Sequence, residues 1–327
     1  MIKRMMNLIK SNKRLLKNIH SKIFNKYSLI ATDITSGCNL RCVFCLNDYD
    51  NLIRQKYKWV PKETFRNIIK LLPLVSNGGF MLSCEYEPTL HPEFVDFINM
   101  IPSKYRKKIF LTTNFSVPIS DDLIQALSKS NFHHINISLD SLNPKIFESI
   151  RIGAKFSVFE KNLKNFISEC KKSVSAPKIR FVTVALKSNI EEIPHLVEIC
   201  QNQYGGNLNE IRYCYNFKHL SEEWRVSNLP TNDDWNILES KFKEIRHHKI
   251  KLLRPPDENY YNDPEIDYKT GIANSKEGPV NLHDELIGLR CNSDGVVRLL
   301  SREDHFMVDI NAIRNPLLFF RKIIRSL

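Results

Sequence analysis

The chain has 327 residues, of which 42% are hydrophobic and 26% charged. That is enough for one large core with an appendage, and it excludes disorder or a fibrous repeat as a description of the whole. The longest unbroken apolar run, Cys42 to Leu46, falls far short of the roughly 20 residues that a membrane-spanning helix needs.

The net charge of +12 invites a nucleic-acid reading until its distribution is counted. Residues 1–27 hold eight Lys and Arg and no acid, while the remainder holds 40 basic against 36 acidic side chains, so no nucleic acid is expected as a partner. Of the eight cysteines, Cys38, Cys42 and Cys45 cluster, and Cys84, Cys170, Cys200, Cys214 and Cys291 are dispersed. Without a secretory segment this pattern predicts a reducing, cytoplasmic setting rather than a disulfide framework.

In chain order, Ile2, Met5, Ile9, Leu16, Ile19 and Ile23 recur at helical spacing with lysines and arginines between them. Residues 1–27 therefore read as a basic amphipathic extension. It either packs on the main domain or makes peripheral contact with an acidic surface such as an anionic membrane. From residue 28 to about 215, β-branched runs alternate with helical stretches. Strands are predicted at 28–35, 79–84, 108–113, 134–139, 179–186 and 210–215, and helices near 62–72, 91–101, 121–130, 156–171 and 190–202. Six βα units in succession predict a parallel sheet, either doubly wound or rolled into a barrel. Thereafter a helix is predicted from Thr231 to about Arg246 and a strand over 249–253. The polar 257–284 stretch reads as an active-site lid or a mobile insertion. A hairpin turns at Ser293-Asp294-Gly295 between strands at 286–289 and 296–300, and a helix closes the chain over 309–324.

The chemistry is concentrated in Thr35-Ser36-Gly37-Cys38-Asn39-Leu40-Arg41-Cys42-Val43-Phe44-Cys45, directly after the first strand. Three thiolates on one loop can hold three corners of a metal cluster. A structural zinc ion wants four ligands, and the next cysteine and histidine are Cys84 and His91. An iron–sulfur cubane held by three thiolates instead of four keeps one iron open to a ligand.

This triad, its place after a first strand and the aromatic Phe44 before its last cysteine resemble the radical S-adenosylmethionine (SAM) enzymes. The resemblance implies an α/β chain whose residues 28–217 form a partial (βα)6 TIM-like barrel, followed by a C-terminal region over 218–327. It implies that Cys38, Cys42 and Cys45 carry a [4Fe-4S] cluster whose open iron takes S-adenosyl-L-methionine. An electron from a donor such as flavodoxin or ferredoxin then cleaves SAM, and the 5′-deoxyadenosyl radical abstracts a substrate hydrogen.

Other motifs extend the match. Glu85-Tyr86-Glu87-Pro88 stands where the family has Gly-Gly-Glu-Pro, so Glu87 and the Tyr86 backbone are expected to receive the SAM ammonium. Thr112-Thr113-Asn114 parallels Thr-Asn-Gly, with Phe115 in place of glycine. Ser138-Leu139-Asp140-Ser141 is similar to Ser-x-Asp-Gly, which makes Ser138 a cofactor contact. Arg151 looks like the arginine that pairs with the cofactor carboxylate, for which a guanidinium fork is suited.

Leu289 to Leu300 and the helix after it resemble the hairpin and helix of a SPASM/Twitch domain. This gives the C-terminal region a small α+β part, degenerate because the cysteine usual after Gly295 is replaced by Leu299 and Leu300. Cys84, Cys214 and Cys291 either converge on a second site or lie buried and inert, with Cys84 and Cys214 the candidates for returning a hydrogen atom to a substrate radical.

The expected function is hydrogen abstraction from a small polar molecule such as a sugar or cyclitol. The alternatives are a radical SAM enzyme acting on a peptide or protein, as an epimerase or maturase, and a non-enzymatic metal-binding interaction module. No residue is identified as a catalytic acid or base.

Overall fold

The computed structural model describes residues 27–45, 57–83, 85–214, 220–245, 249–255, 266–267, 272–275, 278–281, 288–299 and 307–326. The basic extension before Tyr27, and Cys84, lie outside them.

Seven parallel strands form the body of a ten-stranded sheet: β1 (Leu29–Thr32), β3 (Phe80–Met81), β4 (Ile109–Thr113), β5 (His134–Ser138), β7 (Lys178–Val184), β8 (Leu208–Arg212) and β9 (Ile250–Leu253). They lie side by side in sequence order. The sheet has two ends, β9 on one side and a C-terminal strand on the other, so it is an open, partial barrel rather than a closed one.

The connecting helices are α1 (Lys62–Ile69), α2 (Phe94–Met100), α3 (Asp121–Ser128), α4 (Pro144–Ile150), α5 (Phe156–Lys172) and α6 (Ile193–Asn202). Their starts follow from local chemistry. The Ser120 side chain accepts from the Leu123 N–H to cap α3, and Asn143 accepts from the Lys145 N–H at the start of α4, where Pro144 needs no donor partner.

Along each strand, alternate residues face opposite sides. Leu111, Ile135, Ile137, Ile179 and Phe181 are buried with Phe97, Leu123, Phe159, Leu163 and Phe166 from the helices. Phe65 of α1 stacks on Phe97 of α2 at 4.2 Å. The opposite, inner face carries Thr112, His134, Asn136, Ser138, Arg180 and Glu210, several of them bonded to a neighbour. Asn136 donates to Thr112 Oγ1 (3.2 Å), Arg180 reaches His134 Nε2 (3.0 Å) and Glu210 (3.3 Å), and Lys251 reaches Glu210 (2.8 Å).

Beyond β8, α7 (Glu222–Asn228) and α8 (Asn232–Glu244) follow, the latter opened by a reciprocal capping box between Thr231 and Asp234. Within the polar 257–284 stretch the described residues form a three-stranded antiparallel sheet, β10 (Ile266–Asp267), β11 (Ile272–Ser275) and β12 (Gly278–Asn281).

The C-terminal hairpin, β13 (Gly288–Cys291) and β14 (Val296–Leu299), turns at Gly295, whose φ of +87° is available to glycine without cost. With β15 (Met307–Asp309) it joins the barrel sheet itself, because β13 pairs in parallel with β1, Ala31 opposite Arg290 and Thr32 opposite Cys291. The closing helix α9 (Pro316–Ser326) starts seven residues later than the sequence pattern suggests, because 307–312 are used by β15 and a short turn of 3₁₀ helix. Its Phe320 backbone carbonyl accepts from the Tyr27 hydroxyl at 2.8 Å, so the two ends of the described chain meet.

Candidate active site

The carboxyl ends of the barrel strands gather the residues singled out from the sequence. After β1 the chain enters the cysteine loop, which ends in a two-residue strand, β2 (Arg41–Cys42). This pairs antiparallel with β6 (Arg151–Ile152), placing Cys42 opposite Arg151, and the Val43 N–H donates to the Ile150 carbonyl at 3.0 Å. A backbone ladder thus brings together two residues 109 positions apart.

Arg151 is buried. Its Nε lies 2.8 Å from Asp140 Oδ2, its Nη1 lies 3.8 Å from the Cys42 sulfur, and its guanidinium is 6.0 Å from the Phe44 ring centroid. Asp140 itself is held by the Val184 N–H at 2.8 Å. Burial works against the Arg151 charge, but Asp140 and Cys42 outweigh it and raise its pKa. One edge of the fork is therefore committed to Asp140, a contact that the sequence reading did not anticipate.

Glu87 occupies the short segment after β3. Its Oε1 accepts from the Thr89 N–H (3.1 Å), Thr89 Oγ1 (2.6 Å) and Thr113 Oγ1 (2.7 Å), and its Oε2 accepts from the Asn114 N–H (2.6 Å). Burial raises its pKa, and these four donors pull it back. Glu87 is thus a clasp between the loop after β3 and the end of β4. The Glu87 N–H donates to the Gly37 carbonyl at 3.0 Å, which fastens the same loop to the cysteine loop. Tyr86 is half-buried, and its carbonyl accepts from Ser83 Oγ at 2.5 Å.

Asn114 completes the arrangement. Its side-chain nitrogen lies 3.0 Å from Asn39 Oδ1 and 3.8 Å from the Cys38 sulfur. Phe115, where the resemblance has glycine, takes a left-handed conformation (φ +53°). It is held by Asn162 Nδ2 donating to its carbonyl at 2.8 Å and by its ring meeting Phe166 edge-on. Ser138 ends β5, half-buried on the inner face. On the outer side of the cysteine loop the Tyr57 hydroxyl donates to the Cys38 carbonyl at 3.0 Å.

Among the described residues no three His, Cys, Asp or Glu side chains gather as a metal ion's ligands would. Burial pushes the Cys38 thiol up to about 12 and the Cys42 thiol up to about 11, the latter despite Arg151. Such thiols ionise only when a metal takes the place of the proton. The set fits a sulfur-ligated cluster: half-buried cysteines on one loop, with an amide and a guanidinium donor placed against two of the sulfurs.

Asp33, Asp140, Asn114 and Arg290 stand in the site without having been assigned roles. The signal available for the first three was their position at strand carboxyl ends, where barrel chemistry collects. Of the dispersed cysteines whose convergence was in question, Cys84 lies outside the described residues. Cys291 lies in the main core and Cys214 in a separate cluster with Ile150 and Leu186.

The chain is 25% identical over 175 residues to the probable GTP 3′,8-cyclase of Methanocaldococcus jannaschii, an alignment covering 52% of this chain and 53% of that one. It thus spans about half the length of that relative. Against the GTP 3′,8-cyclase of Clostridium botulinum it is 25% identical over 255 residues, covering 70% of this chain and 74% of that one. The crystal structure of Streptococcus suis SuiB bound to S-adenosylmethionine superposes with a TM-score of 0.59 at 17% identity, covering 98% of this chain and 72% of that one. A second SuiB structure, bound to precursor peptide SuiA, has the same TM-score. At that identity the likeness establishes the fold alone. Residues 32–200, more than half of the chain, match the Radical SAM superfamily, and the chain therefore belongs to that family, whose members bind a [4Fe-4S] cluster and S-adenosylmethionine.

Proposed function

We propose that this radical SAM enzyme carries its cluster on Cys38, Cys42 and Cys45, cleaves SAM reductively there, and removes a hydrogen from a small polar substrate lying on the inner face of the partial barrel. The carrying observation is the Cys42–Arg151 pairing, which sets a buried cation against one thiol at the open end of the barrel. Bound there, the cluster and SAM supply the one-electron cleavage that makes hydrogen abstraction possible.

The protein's own residues bind and orient. Arg151, fixed by Asp140, keeps one edge of its fork for the SAM carboxylate. The backbone at Tyr86 meets the ammonium, with Glu87 holding that segment in place. Ser138 and Phe44 flank the cofactor.

The substrate reading follows from the inner face. Asn136 with Thr112, and His134 with Arg180, Glu210 and Lys251, form two hydrogen-bonded groups on this face, suited to a molecule rich in hydroxyls. A sugar or cyclitol fits it, as does the ribose of a nucleotide like that named for the cyclase relatives. An electron donor such as flavodoxin or ferredoxin is required, in keeping with a reducing, cytoplasmic setting. No helix among the described residues is long and apolar enough to cross a membrane.

The test is anaerobic reconstitution, then transfer of deuterium from labelled sugars, cyclitols, GTP and peptides into 5′-deoxyadenosine. Label from a sugar or nucleotide is the expected result. Label from a peptide alone would overturn the substrate class, and zinc content with no SAM cleavage would overturn the enzymatic reading.

A further inference from the structure

The C-terminal hairpin reaches the site through one side chain. Because β13 pairs with β1 so that Arg290 lies opposite Ala31, the guanidinium emerges beside the end of β1. There Arg290 Nη2 lies 3.1 Å from Asp33 Oδ2, and Nη1 lies 2.6 Å from Glu85 Oε1. The other oxygen of Asp33 accepts from the backbone N–H groups of Glu85 (3.0 Å) and Tyr86 (3.4 Å). Asp33 is buried, with 4% of its side chain exposed, so its charge depends on these partners.

The tie falls on the two positions where this chain lacks the family's glycines. Neither Glu85 nor Tyr86 adopts a positive φ. Their loop is shaped by hydrogen bonds to Asp33, and the Glu85 side chain is turned outward to Arg290. From Tyr86 the connection continues through Glu87 to Asn114 and Cys38.

We propose that Arg290 is a positioning residue for SAM: through Asp33 and Glu85 it fixes the Glu85-Tyr86 backbone that meets the cofactor's ammonium. This rests on the functional reading above. It gives the hairpin a task that needs no second cluster. Losing the guanidinium removes the contacts it makes with Asp33 and Glu85, so the loop samples other conformations and binding carries the cost of re-ordering it.

The test compares R290Q, R290K and E85Q with the wild type, each reconstituted to equal iron content. SAM affinity is measured by equilibrium dialysis, and hydrogen exchange over residues 85–90 is followed in the iron-free proteins. R290Q is expected to weaken SAM binding about tenfold, the equivalent of one lost charge-assisted bond, and to speed exchange in the loop. R290K, which keeps a cation for Asp33 but no fork, is expected to fall between R290Q and the wild type. E85Q, which leaves the Asp33 bond in place, is expected to lose less than R290Q. R290Q binding SAM within twofold of the wild type, or weakened with loop exchange unchanged, would overturn the role of Arg290. Wild-type protein that binds no SAM would instead sink the functional reading itself. If R290Q does not fold, R290K carries the comparison, and wild-type affinity and exchange in R290K with E85Q equally unaffected would count against the proposal.

Discussion

Glu87 poses a contest between two opposed effects, and E87Q decides it. Burial of a carboxylate is costly, so making the side chain neutral should recover desolvation energy. Against this stand the four donors that converge on its two oxygens. A glutamine can place its carbonyl oxygen where Oε1 now meets three donors, but its NH₂ then faces the Asn114 N–H across 2.6 Å. The flipped rotamer is no better, since the two threonine hydroxyls can turn to accept from the NH₂ but the Thr89 N–H is then left facing it instead. The unsatisfied Asn114 N–H costs about 1–3 kcal/mol, and three bonds that lose their charge assistance cost roughly 0.5 kcal/mol each. Recovered desolvation offsets part of this, leaving a net destabilisation of about 2 kcal/mol. Equilibrium denaturant unfolding of iron-free wild type and E87Q measures it directly. An E87Q protein as stable as wild type, or more stable, would refute the reasoning and mean that the buried charge, not its bonds, dominates at this position.

Three further outcomes follow from single contacts. A Cβ on Gly37 would sit 2.5 Å from Tyr57 Cγ, so G37A must displace the ring and with it the hydroxyl on the Cys38 carbonyl. Iron loading should fall in G37A and in Y57A, which loses the same hydroxyl, with the G37A/Y57A double variant no worse than Y57A, and additive losses would place the fault elsewhere. F115G relieves a left-handed backbone worth about 1–2 kcal/mol but deletes a fully buried ring worth about 3–5 kcal/mol. It should be less stable by about 2 kcal/mol in denaturant unfolding, and a more stable variant would reverse that ranking. Finally, burial and then Arg180 push the His134 pKa down to about 3, from 6.5 in the unfolded chain, with His133 and Lys178 adding to the effect. Above pH 6.5 both states are neutral and stability is unaffected. Below it the unfolded chain takes a proton that the folded one refuses, so stability falls by up to about 1.4 kcal/mol per pH unit toward pH 3. H134Q should flatten that acid-side slope, and an unchanged slope would show that His134 is not its source.

The barrel strands were legible because each is a short β-branched run with one face buried against helices, and that periodicity is local. The βα rhythm predicted a parallel sheet but left a doubly wound sheet and a barrel open, and the partial barrel came from the family resemblance. Helix α4 was missed although Asn143-Pro144 is a sound start signal, because its seven residues bury only Phe147 and Ile150 and leave little periodicity to read. The β2–β6 ribbon was missed for a stronger reason. Two residues paired with two carry no pattern, yet this ladder is what sets Arg151 against Cys42. The motif residues could be named from a resemblance, but their partners could not. That Arg151 is held by Asp140, that Glu87 is filled by protein donors, and that Arg290 reaches Asp33 all depend on groups meeting across 2 to 257 residues of sequence.

The departures from the family pattern share one physical logic. Where a relative has glycine, the backbone reaches its shape freely and the fold need supply nothing. Here Phe115 stands at a left-handed φ of +53°, Glu85 and Tyr86 keep ordinary φ values, and in both places hydrogen bonds or ring contacts hold the loop. Asp33 and Arg290 hold Glu85 and Tyr86, while Asn162 and the Phe166 ring hold Phe115 in a conformation that phenylalanine disfavours. A loop held by side chains is stiff only while all of them are present, whereas a glycine turn is indifferent to its neighbours. The cofactor-facing loops of this protein should therefore be more sensitive than those of a glycine-bearing relative to substitutions far away in sequence, above all in β13 and α5, which supply Arg290 and Asn162.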